Sequence, residues 1–113
     1  MMTSHTLRFG KGPFSAVFPS IEEIAVDIRA WPDGIEKSYG VYDASNLSRF
    51  VDCWNPRCRG GKFDIEHLIR EMLPERRNFQ CFSLTCSAHE FGRNALPCST
   101  KYEIKIEIRY RRA

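Results

Sequence analysis

A chain of 113 residues, with 42% hydrophobic and 12% aromatic side chains, has material for one modest core, which excludes wholesale disorder and makes a single domain the expectation. No apolar run approaches the ~18 residues of a membrane-spanning helix, so no membrane association is expected. The formal charge of +3 conceals an asymmetry: residues 1–56 carry five Lys/Arg against seven Asp/Glu, and residues 57–113 carry twelve against seven, a basic half that invites a nucleic-acid reading.

Residues 1–19 contain Gly10, Gly12, Pro13 and Pro19 without a sustained period and are predicted to be an irregular N-terminal arm. Arg8, Lys11 and Pro13 interrupt the apolar stretch that a secretory signal requires, so cytoplasm is the expected compartment. Thiols stay reduced there, and clustered cysteines point to metal rather than to disulfides.

Residues 20–113 are expected to form one α+β domain. In residues 20–31, Ile24, Val26, Ile28 and Ala30 alternate with Asp27, Arg29 and Trp31. The β-branched content and the Pro32-Asp33-Gly34 turn favour a strand over the helix that Ser20 and Glu23 could cap. Residues 39–46 read as a loop or short strand, and residues 48–53 as a strand. Asp64 is a credible N-cap, with Ile65, Leu68, Ile69 and Met72 following at the helical period and Pro74 ending the run.

Residues 78–86 read as a strand. The clearest element spans residues 102–112: Tyr102, Ile104, Ile106, Ile108 and Tyr110 alternate with Glu103, Lys105, Glu107, Arg109 and Arg111, the signature of one buried and one wet face. The order β-β-α-β-β implies a four-stranded, mainly antiparallel sheet with one helix.

Four of the five cysteines are placed to hold one metal ion. Cys53 and Cys58 flank the turn-forming Asn55-Pro56, with Gly60-Gly61 just beyond, and Cys86 and Cys98 bracket a polar loop before the last strand. Two such chelating turns can supply the tetrahedral thiolates of a structural zinc site. Cys81 shares the C-x4-C spacing with Cys86, yet lies an odd number of strand residues away, so the two side chains point to opposite faces. At ~3.3 Å per residue their Cα atoms are roughly 16 Å apart, whereas sulfurs on one zinc lie about 3.7 Å apart. Cys81 is therefore expected to be a buried strand thiol. The alternative sets use Cys81, or His89 in place of one cysteine. Four thiolates select zinc, with iron second, and leave no open coordination position, so the site is expected to be structural rather than catalytic. Binding zinc through four thiolates would bring the net charge to about +1, which weakens the nucleic-acid reading.

The run Cys53-Trp-Asn-Pro-Arg-Cys58-Arg-Gly-Gly-Lys-Phe63, followed by a helix and then Cys86 and Cys98 before an Ile/Tyr-rich strand, resembles a group of small uncharacterised bacterial proteins that share a C-x-N-P-x-C-x-x-G-G motif and a later Cys pair. The resemblance covers residues 50–112. It implies a zinc-ribbon-like four-cysteine site and carries no known activity.

No nucleotide-binding, nucleophile-elbow or zinc-deaminase pattern is present, and His5, His67 and His89 are dispersed. The expected function is a non-catalytic zinc-binding domain that binds a protein partner. One alternative is a nucleic-acid-binding zinc domain in which Arg57, Arg59 and Lys62 join Arg76, Arg77, Arg109, Arg111 and Arg112 on one positive face. The other is a thiol-based redox sensor.

Overall fold

The computed structural model describes residues 13–31, 36–55, 57–91 and 96–112. Most of the N-terminal arm, the Pro32-Asp33-Gly34 turn, Pro56, and Gly92 and Asn94 lie outside the described residues. The elements are α1 (Phe14–Val17), β1 (Ile21–Trp31), β2 (Lys37–Asp43), β3 (Phe50–Asp52), β4 (Lys62–Asp64), α2 (Ile65–Met72), β5 (Phe79–Thr85) and β6 (Lys101–Tyr110). β2, β1, β6 and β5 form, in that order, a four-stranded antiparallel sheet, and β3 pairs with β4 in a separate ribbon. The fold is α+β, as the pattern of periods predicts.

The two alternating segments meet each other. Ile24, Val26, Ile28 and Ala30 of β1 lie opposite Ile108, Ile106, Ile104 and Tyr102 of β6, and all eight are buried. Each such aliphatic side chain contributes roughly 1.5–3 kcal/mol when fully buried, so this double row anchors the domain. α2 starts where Asp64 accepts the His67 N–H at 3.3 Å, and its stripe of Ile65, Leu68, Ile69 and Met72 joins the same core. The helix stops two residues before Pro74, where Arg76, at a φ of 49°, lets the Arg77 N–H close onto the Met72 carbonyl at 3.0 Å.

Two expectations change. The segment expected over residues 48–53 supplies only the three-residue β3, which leaves the main sheet for the ribbon with β4. The place beside β1 is taken by β2, the region read as a loop or short strand. Segments joined by a short connection pair most readily, and β2 follows β1 after five residues. The arm is also not irregular throughout. Residues 14–17 form one helical turn that delivers Phe14 and Phe18 into the core at 5% and 1% exposure, with the Arg70 guanidinium 4.9 Å from the Phe18 ring. Among the described residues no helix is long and apolar enough to cross a membrane.

Candidate metal centre

The first pair of cysteines is placed by the β3–β4 ribbon. Cys53 follows β3, and its N–H donates to the Gly61 carbonyl at 2.8 Å, closing a knuckle over residues 53–61. Within it the Asn55 side-chain oxygen accepts the Arg57 N–H at 3.0 Å, and the Asn55 carbonyl accepts the Cys58 N–H at 3.0 Å. This side-chain-mimicked turn is what Asn favours, and it folds Cys58 back beside Cys53.

The second pair is placed by the β5–β6 hairpin, whose ladder continues past the strand ends. The Cys86 N–H donates to the Thr100 carbonyl at 2.9 Å and the Cys98 N–H to the Ala88 carbonyl at 2.8 Å. Knuckle and hairpin tip then dock through the Arg59 N–H on the His89 carbonyl and the Phe91 N–H on the Arg57 carbonyl, each 2.8 Å. The outcome is four Sγ atoms all within 4.8 Å of one another, with Cys53–Cys98 at 3.6 Å and Cys58–Cys86 at 3.7 Å. Bonds of ~2.3 Å to a tetrahedral zinc require sulfurs about 3.7 Å apart. Each of these two close pairs joins the knuckle to the hairpin.

The surroundings are built for sulfur anions. Tyr102 Oη, in a residue 2% exposed, donates to Cys53 Sγ at 2.8 Å while accepting the Trp54 N–H at 2.6 Å. Asn55 Nδ2 lies 3.4 Å from Cys98 Sγ and 2.7 Å from a Glu90 carboxylate oxygen. The fully buried Thr100 hydroxyl is 3.2 Å from Cys98 Sγ, and the Gly61 N–H donates to Cys58 Sγ at 3.3 Å. Donors aimed at sulfur favour the charged form. Steric room also requires a glycine at 61: a Cβ there would stand 2.6 Å from Cys86 Sγ and 2.8 Å from Cys58 Sγ. The sulfur spacing, the donors and this cradle together fit an ion held by four thiolates.

Without an ion, Cys58, Cys86 and Cys98 differ in acidity. Burial raises the Cys58 thiol above its ordinary range and pushes Cys86 up to about 12. Burial acts on Cys98 in the same direction, but donors from the Thr100 hydroxyl and N–H, Asn55 and Cys53 overcome it and bring Cys98 down to about 6.

All four predicted ligands are brought together, and the two substitutes are not. His89 is exposed and outside the cluster among the described residues. Cys81 is outside it as well, but it is exposed rather than buried. The parity argument holds, since Cys86 turns inward and Cys81 outward. Phe82, not Cys81, faces the core, and Cys81 stands beside Lys105 on the wet face. Tyr102, Thr100 and the Asn55 amide were the unforeseen contributors. Among the described residues of the knuckle, the backbone N–H aimed at a sulfur is that of Gly61, on Cys58.

The Tyr102 hydroxyl yields a direct test. Tyr102→Phe removes a donor to Cys53 and orphans the Trp54 N–H, so metal affinity should fall about 10–100-fold and stability by about 1–3 kcal/mol. Competition with a chromogenic chelator reads the first, and thermal unfolding the second. Unchanged affinity would show that this bond does not support the site.

The basic residues do not gather on one face. Arg57 and Arg59 sit at the metal end, where Arg57 approaches Glu90 at 3.5 Å and Arg59 lies 5.5 Å from the Phe91 ring. Arg76, Arg77, Arg109 and Arg111 lie at the other end of β6, about 30 Å away at ~3.4 Å per residue. There Arg77 pairs with Glu75 at 2.9 Å, and Arg109 with Glu23 at 2.7 Å and Glu22 at 3.2 Å. Compared with protein-family models, curated proteins and solved structures, the chain matches none.

Proposed function

We propose that this chain is a small non-catalytic domain in which Cys53, Cys58, Cys86 and Cys98 hold one structural zinc ion, and that it serves to bind a protein partner. The observation that carries the reading is the sulfur tetrad, within 4.8 Å throughout and 3.6–3.7 Å across its two closest pairs. Four thiolates suit zinc ahead of iron and fill a tetrahedral shell, leaving no position for substrate or water. The ion's contribution is to tie the knuckle of residues 53–61 to the hairpin tip of residues 86–98. Metal analysis of the natively purified protein should find one zinc per chain. Metal-free protein, or protein with disulfides among these cysteines, would sink the proposal.

The likeness to the small bacterial cysteine proteins belongs to the same reading. The chain departs from their motif in having one residue, Arg59, between Cys58 and Gly60 where the motif has two. The nucleic-acid alternative loses support because the cations are divided between two ends, where Arg57, Arg77 and Arg109 are paired with carboxylates. The redox alternative would act through the tetrad's own thiols by releasing the ion, and zinc retained under mild peroxide would exclude it.

A pH dependence follows. An incoming ion must displace protons from Cys58 and Cys86, both held above the ordinary thiol range. Affinity near neutrality should therefore climb at least about 100-fold per pH unit. Below about 6 the slope should steepen, because Cys98 is then protonated too. Chelator competition across pH 5.5 to 8 measures this. A flat profile would mean that the thiols bind no metal as thiolates.

A further inference from the structure

Among the described residues, nothing covers the outer edge of β5. It pairs with β6 on one side and, among the described residues, with nothing on the other. Proteins guard such edges with charge, proline, bulges or covering segments. β2, at the opposite edge, has two of these devices: the charge of Asp43, and an extra residue where its register with β1 shifts between Ile28 and Arg29. β5 reads Phe-Gln-Cys-Phe-Ser-Leu-Thr, seven residues without charge, proline or glycine, a composition that favours strand pairing between chains.

The direction of its free backbone groups follows from the ladder. Cys86 donates to Thr100 and Ile108 donates to Asn78, both in the register that pairs Gln80 with Ile106 and Phe82 with Ile104. Hydrogen-bonded pairs alternate along an antiparallel ladder, so even-numbered residues of β5 bond to β6. The N–H and C=O groups of Phe79, Cys81, Ser83 and Thr85 therefore face the open edge.

We propose that a second copy of the chain pairs there, β5 against β5, antiparallel about a two-fold axis at Phe82, to make one continuous eight-stranded sheet. Of the antiparallel self-pairings, this register alone engages all seven residues. It sets Phe79 opposite Thr85, Gln80 opposite Leu84, Cys81 opposite Ser83, and Phe82 opposite its own copy. No charge meets a like charge, because the alternating Glu103, Lys105 and Glu107 stand one strand back on β6. On the core side, Phe82 meets its own copy and the half-buried Leu84 meets the partner's Gln80, so the two cores join through the Phe82 pair. A foreign strand would have to bring its own matching apolar row and lack charge on both faces, and a second copy does so by construction. This inference rests on the protein-binding reading above and names its partner.

Ser83→Pro is the discriminating variant, since it removes an N–H that faces the edge and leaves the β6 ladder whole. Sedimentation should give the wild type a mass twice the 13.1 kDa of the chain and the variant a single chain mass, with metal content measured on the same samples. A wild type that stays monomeric, or a variant that still dimerises, overturns the proposal. Zinc retained in either case shows that the metal reading survives that failure. Amide exchange of the wild type decides even if the variant misfolds. On going from dilute to concentrated protein, the amides of Phe79, Cys81, Ser83 and Thr85 should slow by roughly tenfold or more, while Gln80, Phe82 and Leu84 are protected throughout. Edge amides that exchange equally fast at both concentrations refute it.

Discussion

Cys98→Ser is expected to lose the metal and unfold the chain, whereas Cys81→Ser keeps full metal content and the wild-type melting temperature. Cys98 is 6% exposed. Its sulfur is met by Asn55 and Thr100 and lies 3.6 Å from Cys53 Sγ. A serine oxygen is a harder and shorter-reaching donor, which zinc-selective thiolate sites do not tolerate. Structural zinc contributes an apparent ~10–16 kcal/mol in small modules, against a total of ~5–15 kcal/mol for a typical domain. Losing it should therefore exceed what the β1–β6 and α2 core supplies alone. A strong chelator should do the same to the wild type, read as loss of dispersed amide signals. Cys81, exposed on the wet face of β5, can change without disturbing any of this. A Cys98→Ser protein that retained stoichiometric zinc would falsify the tetrad.

Gly61→Ala carries the second large effect. The new methyl would lie 2.6 Å from Cys86 Sγ and 2.8 Å from Cys58 Sγ, and metal–sulfur distances tolerate only about 0.2 Å. Either sulfur or the start of β4 must shift, at a cost of about 1–3 kcal/mol, which weakens metal binding roughly 5- to 150-fold. Gly60→Ala is the matched control. At Gly60 a Cβ meets no atom within 4 Å, but φ is +74°, so alanine should cost about 1–2 kcal/mol of folding stability and leave metal affinity per folded molecule unchanged. Equal affinities for the two variants would show that Gly61 is not a cradle for sulfur.

Where sequence reasoning succeeded, it used short-range rules. The period of two over β6 and β1 named the buried residues because a strand's side chains alternate regardless of what lies beyond. Asp64 and the stripe from Ile65 to Met72 worked for the same local reason. β5 shows the limit. Phe79 and Cys81 lie on one face, Phe82 and Leu84 on the other, and both faces are apolar enough to be the inner one. Alternation separates the two faces without saying which is buried, so it does not settle whether Cys81 or Phe82 faces the core. Residues 48–53 failed for another reason: their backbone partners are Lys62, Phe63 and Asp64, a choice made by the closing knuckle rather than by their own propensity.

The amino-acid sequence by itself determined which segments alternate, where the helix begins, and that Cys81 and Cys86 cannot both reach one ion, since parity along a strand sets them on opposite faces. Only the tertiary structure decided which sulfurs stand closest, that Tyr102, Thr100 and Asn55 turn their polar atoms toward them, and that Gly61 must lack a side chain. The physical reason is range. Periodicity and turn chemistry act over a few residues and are written in adjacent letters, whereas the contact of Tyr102 with Cys53 spans 49 positions and exists only once the knuckle, hairpin and core have met.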